Sequence, residues 1–152
     1  IANRLLQRNV QLVILGTGDY NYENHFKGLQ ELYPTKVSAN IKFDNGLAHR
    51  IYASSDIFLM PSLFEPCGLG QVRETGGLKD TIHSYNKYTG IGNGFSFTNY
   101  NNNDLMHVIE LALETYDDKE VWRSLIIQAM DSDNSWNTSA EKYKELYEEL
   151  IK

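Results

Sequence analysis

The segment Pro61-Ser62-Leu63-Phe64-Glu65-Pro66-Cys67-Gly68-Leu69-Gly70-Gln71 sets one carboxylate three residues ahead of two glycines, behind the apolar run Ile57 to Met60. If that run is a strand and the glycines open a helix, the free N–H groups and positive dipole end at Gly68 and Gly70 form a ready seat for a phosphate. Glu65 has the wrong charge for a pure phosphate pocket. It makes sense if the ligand also carries hydroxyl groups, which a carboxylate accepts well. The same spacing also fits an ordinary loop with a surface Glu and two turn glycines. Arg73-Glu74-Thr75-Gly76-Gly77-Leu78 is a second glycine turn whose backbone amides can approach a ligand closely. Gly16-Thr17-Gly18 is a third, but a dinucleotide fingerprint would need another glycine where Asn21 stands, which disfavours NAD. Three glycine turns at the ends of successive strands converge on one sheet edge, and that convergence favours a nucleotide-type ligand.

The elements that must hold these turns follow from periodicity. Ile1 to Arg8 has helical spacing without a cap. Val10 to Leu15 is a continuous apolar run, the pattern of a strand buried on both faces of a parallel sheet. A helix from about Tyr22 to Tyr33 ends at Pro34, Val37 to Phe43 alternates as a second strand, Leu47 to Ser54 is a short helix, and Ile57 to Met60 is a third strand stopped by Pro61. Strand, helix, strand, helix, strand predicts a Rossmann-like, doubly wound parallel α/β sheet. Gly94 to Phe97 reads as a short strand. Amphipathic helices follow over Asp104 to Tyr116, Asp118 to Met130, and from a capping box at Thr138 and Glu141 to Lys152, whose Tyr143 and Tyr147 stripe reads as core or interface. Between Ser62 and Val72 only nine residues remain, whereas a parallel crossover with its helix needs about ten to twelve. A segment is therefore missing between Gln71 and Val72.

Composition narrows the function. The 152 residues suit one domain with a real core, at 41% apolar and 22% charged. The net charge of −6 with no basic run argues against nucleic-acid binding, and no apolar stretch is long enough to span a membrane. A single cysteine, Cys67, permits no internal disulfide; it reads as a small packed residue and points to a reducing compartment, the cytoplasm. Asp131-Ser132-Asp133 imitates a metal-binding D-x-D but follows an amphipathic helix, where capping is the simpler role. His25, His49, His83 and His107 lack ligand spacing, so no metal site is expected.

FEPCGLGQ (Phe64 to Gln71) and RETGGLKDT (Arg73 to Thr81), with LGTGD (Leu15 to Asp19) and the pair Ser135-Trp136, resemble the C-terminal domain of bacterial glycogen synthase and plant starch synthase over nearly the whole chain. The resemblance implies the C-terminal half of a two-domain GT-B glycosyltransferase with extra C-terminal helices, acting on ADP-glucose and an α-1,4-glucan acceptor, with retention and without a metal or other cofactor. It assigns Glu65 to the donor glucose, where it holds hydroxyls and stabilises positive charge at the anomeric carbon. It places the backbone amides near Gly68 and Leu69 at a donor phosphate, Phe43 against adenine, and Thr75, Gly76 and Gly77 beside the nucleotide, and it counts Cys67 and Gln71, with Gly16, Thr17 and Gly18, among the nucleotide-sugar-binding residues. Relatives hold about eleven more residues between the two motifs, a helix and most of a strand, which the crossover length also demands; their lack here is read as a disordered segment left out rather than a natural deletion. Arg73 stands where many related transferases carry a second Glu, so no role passes to it. The family's N-terminal domain is also absent, and the chain alone is expected to be inactive. A UDP-sugar transferase of the same fold and a non-catalytic nucleotide-binding domain are the alternatives.

Overall fold

The computed structural model describes residues 1–61, 82–133 and 135–151. They fall into two compact units, Ile1–Phe58 and Leu59–Lys152, each taken by itself below.

In the first unit a short helix α1 (Ala2–Leu6) leads into strand β1 (Leu12–Leu15), helix α2 (Tyr20–Leu32), strand β2 (Val37–Asn40) and helix α3 (Asn45–Ser54). β1 and β2 pair in parallel with Leu12 opposite Val37 and Leu15 opposite Asn40, so α2 is the crossover of a βαβ unit. Its core is Leu6, Leu29 and Val37, packed by Ala2, Leu12, Ile14 and Phe26. Lys36 fastens α1 to this layer, its Nζ donating to the carbonyls of Leu6 and Arg8 at 2.8 Å each. These C-terminal carbonyls lack helical partners, and an ammonium is their natural complement.

The α/β class is as expected, but several boundaries moved. α2 begins at Tyr20 because the Asp19 side chain accepts from Asn21 N at 2.8 Å, a cap that stabilises a helix by about 1 kcal/mol. β2 stops at Asn40, where the Lys42 N–H turns back to the Asn40 carbonyl. β1 is not buried on both faces, since Val13 is 44% exposed. Ile57 to Met60 forms no strand. An apolar run dictates burial, whereas a strand also needs a neighbour to hydrogen-bond, and this run straddles the boundary between the units.

The second unit contains helices α4 (Asn102–Asp117), α5 (Lys119–Met130) and α6 (Trp136–Leu150). Leu105, Met106, Val108, Ile109 and Ala112 of α4 and Leu125 of α5 are buried, together with Phe95 and Phe97. Trp122 ties the aromatic part together, stacked on Phe95 at 6.3 Å and edge-on to Tyr116 at 5.2 Å. Gly94 to Phe97 is not a full strand: Gly94 bridges to Ser84, and Asn86 bridges to Ile91 across a hairpin. α6 starts at Ser135, not at the expected capping box; Ser135 Oγ accepts from Thr138 N, while Thr138 Oγ1 donates to Asp133 at 2.6 Å. Its Tyr143, Leu146, Tyr147 and Leu150 stripe is exposed and is not core among the described residues. No described helix is long and apolar enough to cross a membrane.

Candidate functional site at the carboxyl edge of the parallel pair

Because β1 and β2 are parallel and in register, the turn after each opens at the same edge. The Gly16 N–H donates to the Asn40 carbonyl at 3.1 Å, closing the ladder where both strands end. Gly16 then adopts φ +153°, a conformation that side chains disfavour, and the chain leaves the sheet through Thr17 and Gly18 into α2. On the β2 side the chain reaches Phe43 just before α3. Phe43 is 85% exposed, so its ring is not used by the core. Gly16, Thr17, Gly18 and Phe43 thus share one edge. An exposed ring beside a backbone turn can stack on a planar heterocycle.

Carboxylates line this edge, which sequence reasoning missed. Glu23 Oε1 accepts from Gly18 N at 2.9 Å, and Asp19 Oδ1 takes Asn21 N, so two of the amides that could have met an anion are already satisfied. The Gly16–Gly18 turn is therefore not an open phosphate cradle on its own. Its carboxylates can accept hydroxyls instead. The available signal was Asp19 directly before the helix and Glu23 in its first turn, the usual sign of carboxylates answering helix N–H groups.

Asp44 caps α3 in the same way, Oδ1 accepting from Leu47 N at 2.8 Å and Oδ2 from Lys42 Nζ at 2.9 Å. The hydrogen-bonded Lys42 ammonium, followed by the Leu47 amide, holds the Asp44 carboxyl below its ordinary value. A carboxyl depressed in the folded state adds stability above its unfolded value and loses it as pH falls through the folded one. The α3 N-terminus, next to Phe43, is therefore expected to fray on acidification below the ordinary carboxylate range. Amide chemical shifts of Leu47 and Ala48 followed over pH should show it, and Asp44→Asn should abolish that titration; identical titration curves in the variant would disprove the role.

Glu65, Cys67, Gly68, Leu69, Gln71, Thr75, Gly76 and Gly77, with the expected discontinuity after Gln71, lie outside the described residues. Of the Asp131-Ser132-Asp133 triplet, Asp133 accepts from Ser135 N at 2.9 Å and from the Thr138 hydroxyl, which together depress its carboxyl pKa, the hydroxyl foremost. Ser132 Oγ donates to the Gln128 carbonyl at 3.0 Å. Ser132 thus satisfies a carbonyl at the end of α5, and Asp133 braces the start of α6. Among the described residues no three His, Cys, Asp or Glu side chains gather as a metal ion would require.

No family model matches the chain. It is 91% identical to the glycogen synthase of Clostridium perfringens (strain 13 / Type A), in an alignment of 163 positions that takes in the whole chain, eleven positions more than its 152 residues. It is 65% identical over 99% of its length to the glycogen synthase of Clostridium beijerinckii. The chain spans about a third of these relatives, 34% of each. Among solved structures, the catalytic domain of starch synthase IV from Arabidopsis thaliana bound to ADP and acarbose superposes with a TM-score of 0.79 at 33% identity, over 97% of this chain and 34% of that one. The likeness extends the two-stranded βαβ core to the Rossmann-like α/β fold of a GT-B glycosyltransferase.

Proposed function

We propose that this chain, which belongs along its whole length to the glycogen synthase and starch synthase family, is the donor-binding domain of a retaining glucosyltransferase. The enzyme moves glucose from ADP-glucose to the non-reducing end of an α-1,4-glucan. The observation that carries this reading is the 91% identity over the entire chain to a named glycogen synthase. An ADP-bound starch synthase of the same fold supports the choice of adenine over uracil. The eleven surplus positions in the alignment support a segment missing after Gln71, of the size that the crossover requires.

On this reading the adenine stacks on Phe43, and the hydroxyls of the nucleoside meet the carboxylate-lined turn after β1. The donor phosphate falls to the backbone amides near Gly68 and Leu69, Thr75, Gly76 and Gly77 serve the nucleotide, and Cys67 and Gln71 belong to the same nucleotide-sugar site. Glu65 orients the donor glucose and stabilises positive charge at its anomeric carbon. The bond from that carbon to the diphosphate oxygen breaks, the acceptor hydroxyl oxygen bonds to the same face, and its proton passes to the departing phosphate. No protein nucleophile and no metal enters the scheme; Asp133 of the D-x-D-like triplet is engaged by the Ser135 N–H and the Thr138 hydroxyl. The single cysteine supports a cytoplasmic location. An N-terminal domain of the same protein would complete the cleft. Relatives three times as long and the apolar stripe of α6, exposed among the described residues, both support that partner.

The test is calorimetric titration of the full-length protein with ADP, UDP and AMP. ADP should bind at least about tenfold more tightly than either, and Phe43→Ala should weaken ADP by about 1 kcal/mol, the value of one aromatic stacking contact. Equal affinity for ADP and UDP would favour a UDP-sugar enzyme, and no diphosphate binding at all would remove the donor-domain reading.

A further inference from the structure

The chain contains two Asn-Gly pairs, Asn45-Gly46 and Asn93-Gly94, and the fold holds them differently. An asparagine followed by glycine can convert itself, because the glycine nitrogen can reach the Asn side-chain carbonyl carbon and no Cβ obstructs the approach. Asn93 lacks the freedom to do so. Its Oδ1 accepts from His83 N at 2.7 Å and its Nδ2 donates to Ser132 Oγ at 3.2 Å, so the half-buried side chain is held at both ends. Asn45 and Gly46 are exposed, as the first two residues of α3. There the Asp44 side chain takes Leu47 N at 2.8 Å and the Asp44 carbonyl takes Ala48 N at 2.9 Å. Among the described residues the Asn45 side chain and the Gly46 N–H are left without a partner, the N–H being one of the donors that every helix start leaves over.

We propose that Asn45-Gly46 is a self-modification site, where the chain converts to aspartate and isoaspartate with water as co-reactant. The Gly46 nitrogen bonds to Asn45 Cγ, the Cγ–Nδ2 bond breaks, and ammonia leaves carrying the Gly46 amide proton. Water then opens the cyclic imide. Breaking the bond from nitrogen to Cγ gives aspartate; breaking the bond from nitrogen to the main-chain carbonyl carbon gives isoaspartate, in which the chain runs through the side chain and gains a backbone atom. The Asn45 backbone must leave its helical conformation for the ring to close, and the end of a helix is where it opens most readily. Aspartate suits the positive end of α3. Isoaspartate does not, because the added atom shifts Asp44 out of register with Leu47 and loosens the segment that carries Phe43. On the function proposed above, that loosening weakens the binding of ADP.

The experiment ages the full-length protein for days in mildly alkaline buffer and maps its peptides by mass, with labelling by an isoaspartate-specific methyltransferase to separate the two products. Conversion at Asn45 should run at least about tenfold faster than at Asn93 in the folded protein, and at a similar rate in urea, where both pairs are free. Gly46→Ala should slow conversion at Asn45 about tenfold or more, since a side chain now obstructs the attacking nitrogen. The added Cβ meets Asp44 Oδ1 at 3.6 Å, an ordinary contact, so this variant keeps the fold. Asn45→Gln, whose longer side chain must close a larger ring, is the second variant and should also stay unconverted. Aged wild type carrying isoaspartate should bind ADP about fivefold more weakly than fresh protein, the loss of one stacking contact, whereas aged Gly46→Ala binds as it did when fresh. Equal conversion at Asn45 and Asn93 in the folded protein, or a difference that survives in urea, would overturn the site. Unchanged ADP affinity in isoaspartate-bearing protein would overturn its effect on the Phe43 edge. Conversion is read by mass and needs no ligand, so fresh protein that binds no ADP would count against the proposed function while leaving the modification result readable.

Discussion

Replacing Glu65 by alanine in the full-length protein is expected to lower kcat by about a hundred- to a thousandfold, the usual loss when one preorganised electrostatic group is removed from a transition state. The KM for ADP-glucose should change far less. The reason is differential binding: a carboxylate facing an anomeric carbon gains most when that carbon becomes positive, so its removal acts on the transition state more than on the bound donor. Glu65→Gln should behave nearly as badly, because it keeps the hydrogen-bonding shape and loses the charge. A Glu that only decorates a loop would instead cost about 0.5 kcal/mol of stability or less and leave the rate intact. Steady-state kinetics with varied ADP-glucose separates the two. Wild-type kcat in a folded Glu65→Ala protein would leave the amides of Gly68 and Gly76 as a binding-only site.

The second large effect is on stability. Gly92 closes the hairpin between Ser84 and Gly94 at φ +144°, where an added Cβ would lie 2.6 Å from Tyr85 N and closer still to Tyr85 Cα. Backbone cannot move aside as a side-chain tip can. The hairpin is also bound to α5, with Gly92 N donating to Gln128 Oε1 at 3.2 Å and Gln128 Nε2 donating to the Gly90 carbonyl at 2.9 Å. Gly92→Ala is therefore expected to destabilise the second unit by about 3 kcal/mol or more, combining strain with the loss of this clamp. Gly90→Ala is the internal control. Gly90 sits at φ +69° with open space around its Cβ position, so its cost should be only about 1 kcal/mol of left-handed strain. Denaturant unfolding of the two variants checks the difference; equal midpoints would mean that the hairpin is not closed as described.

The two effects differ in how far the sequence alone foresees them. Glu65 stands out in the chain because the FEPCGLGQ and TGGL motifs are short, contiguous and chemically specific, and the family relation read from them agrees with relatives matched along the full length. Gly92 does not stand out. It is one of eleven glycines in the chain, and among the described ones it is the approach of the Tyr85 backbone from across the hairpin that sets it apart.

The same division runs through the fold. Helices α2, α4 and α5 were legible because their signals are short-range: a capping Asp or Asn and an apolar residue every three or four positions, with Pro34 beyond the end of α2 as well. The parallel pairing of β1 and β2 also followed, since a strand, a helix and a strand leave few other topologies. What the sequence determined by itself is therefore the family and the α/β class, with the donor residues named as candidates. The tertiary structure decided that Ile57 to Met60 pairs with no strand, that Ser135 and not Thr138 caps α6, that the α6 stripe stays uncovered among the described residues, and that Glu23 fills an amide of the first glycine turn. The physical reason is range. Caps and periodicity act within a turn or two of chain, whereas ladders, burial and the filling of a ligand edge depend on partners that the sequence does not place side by side.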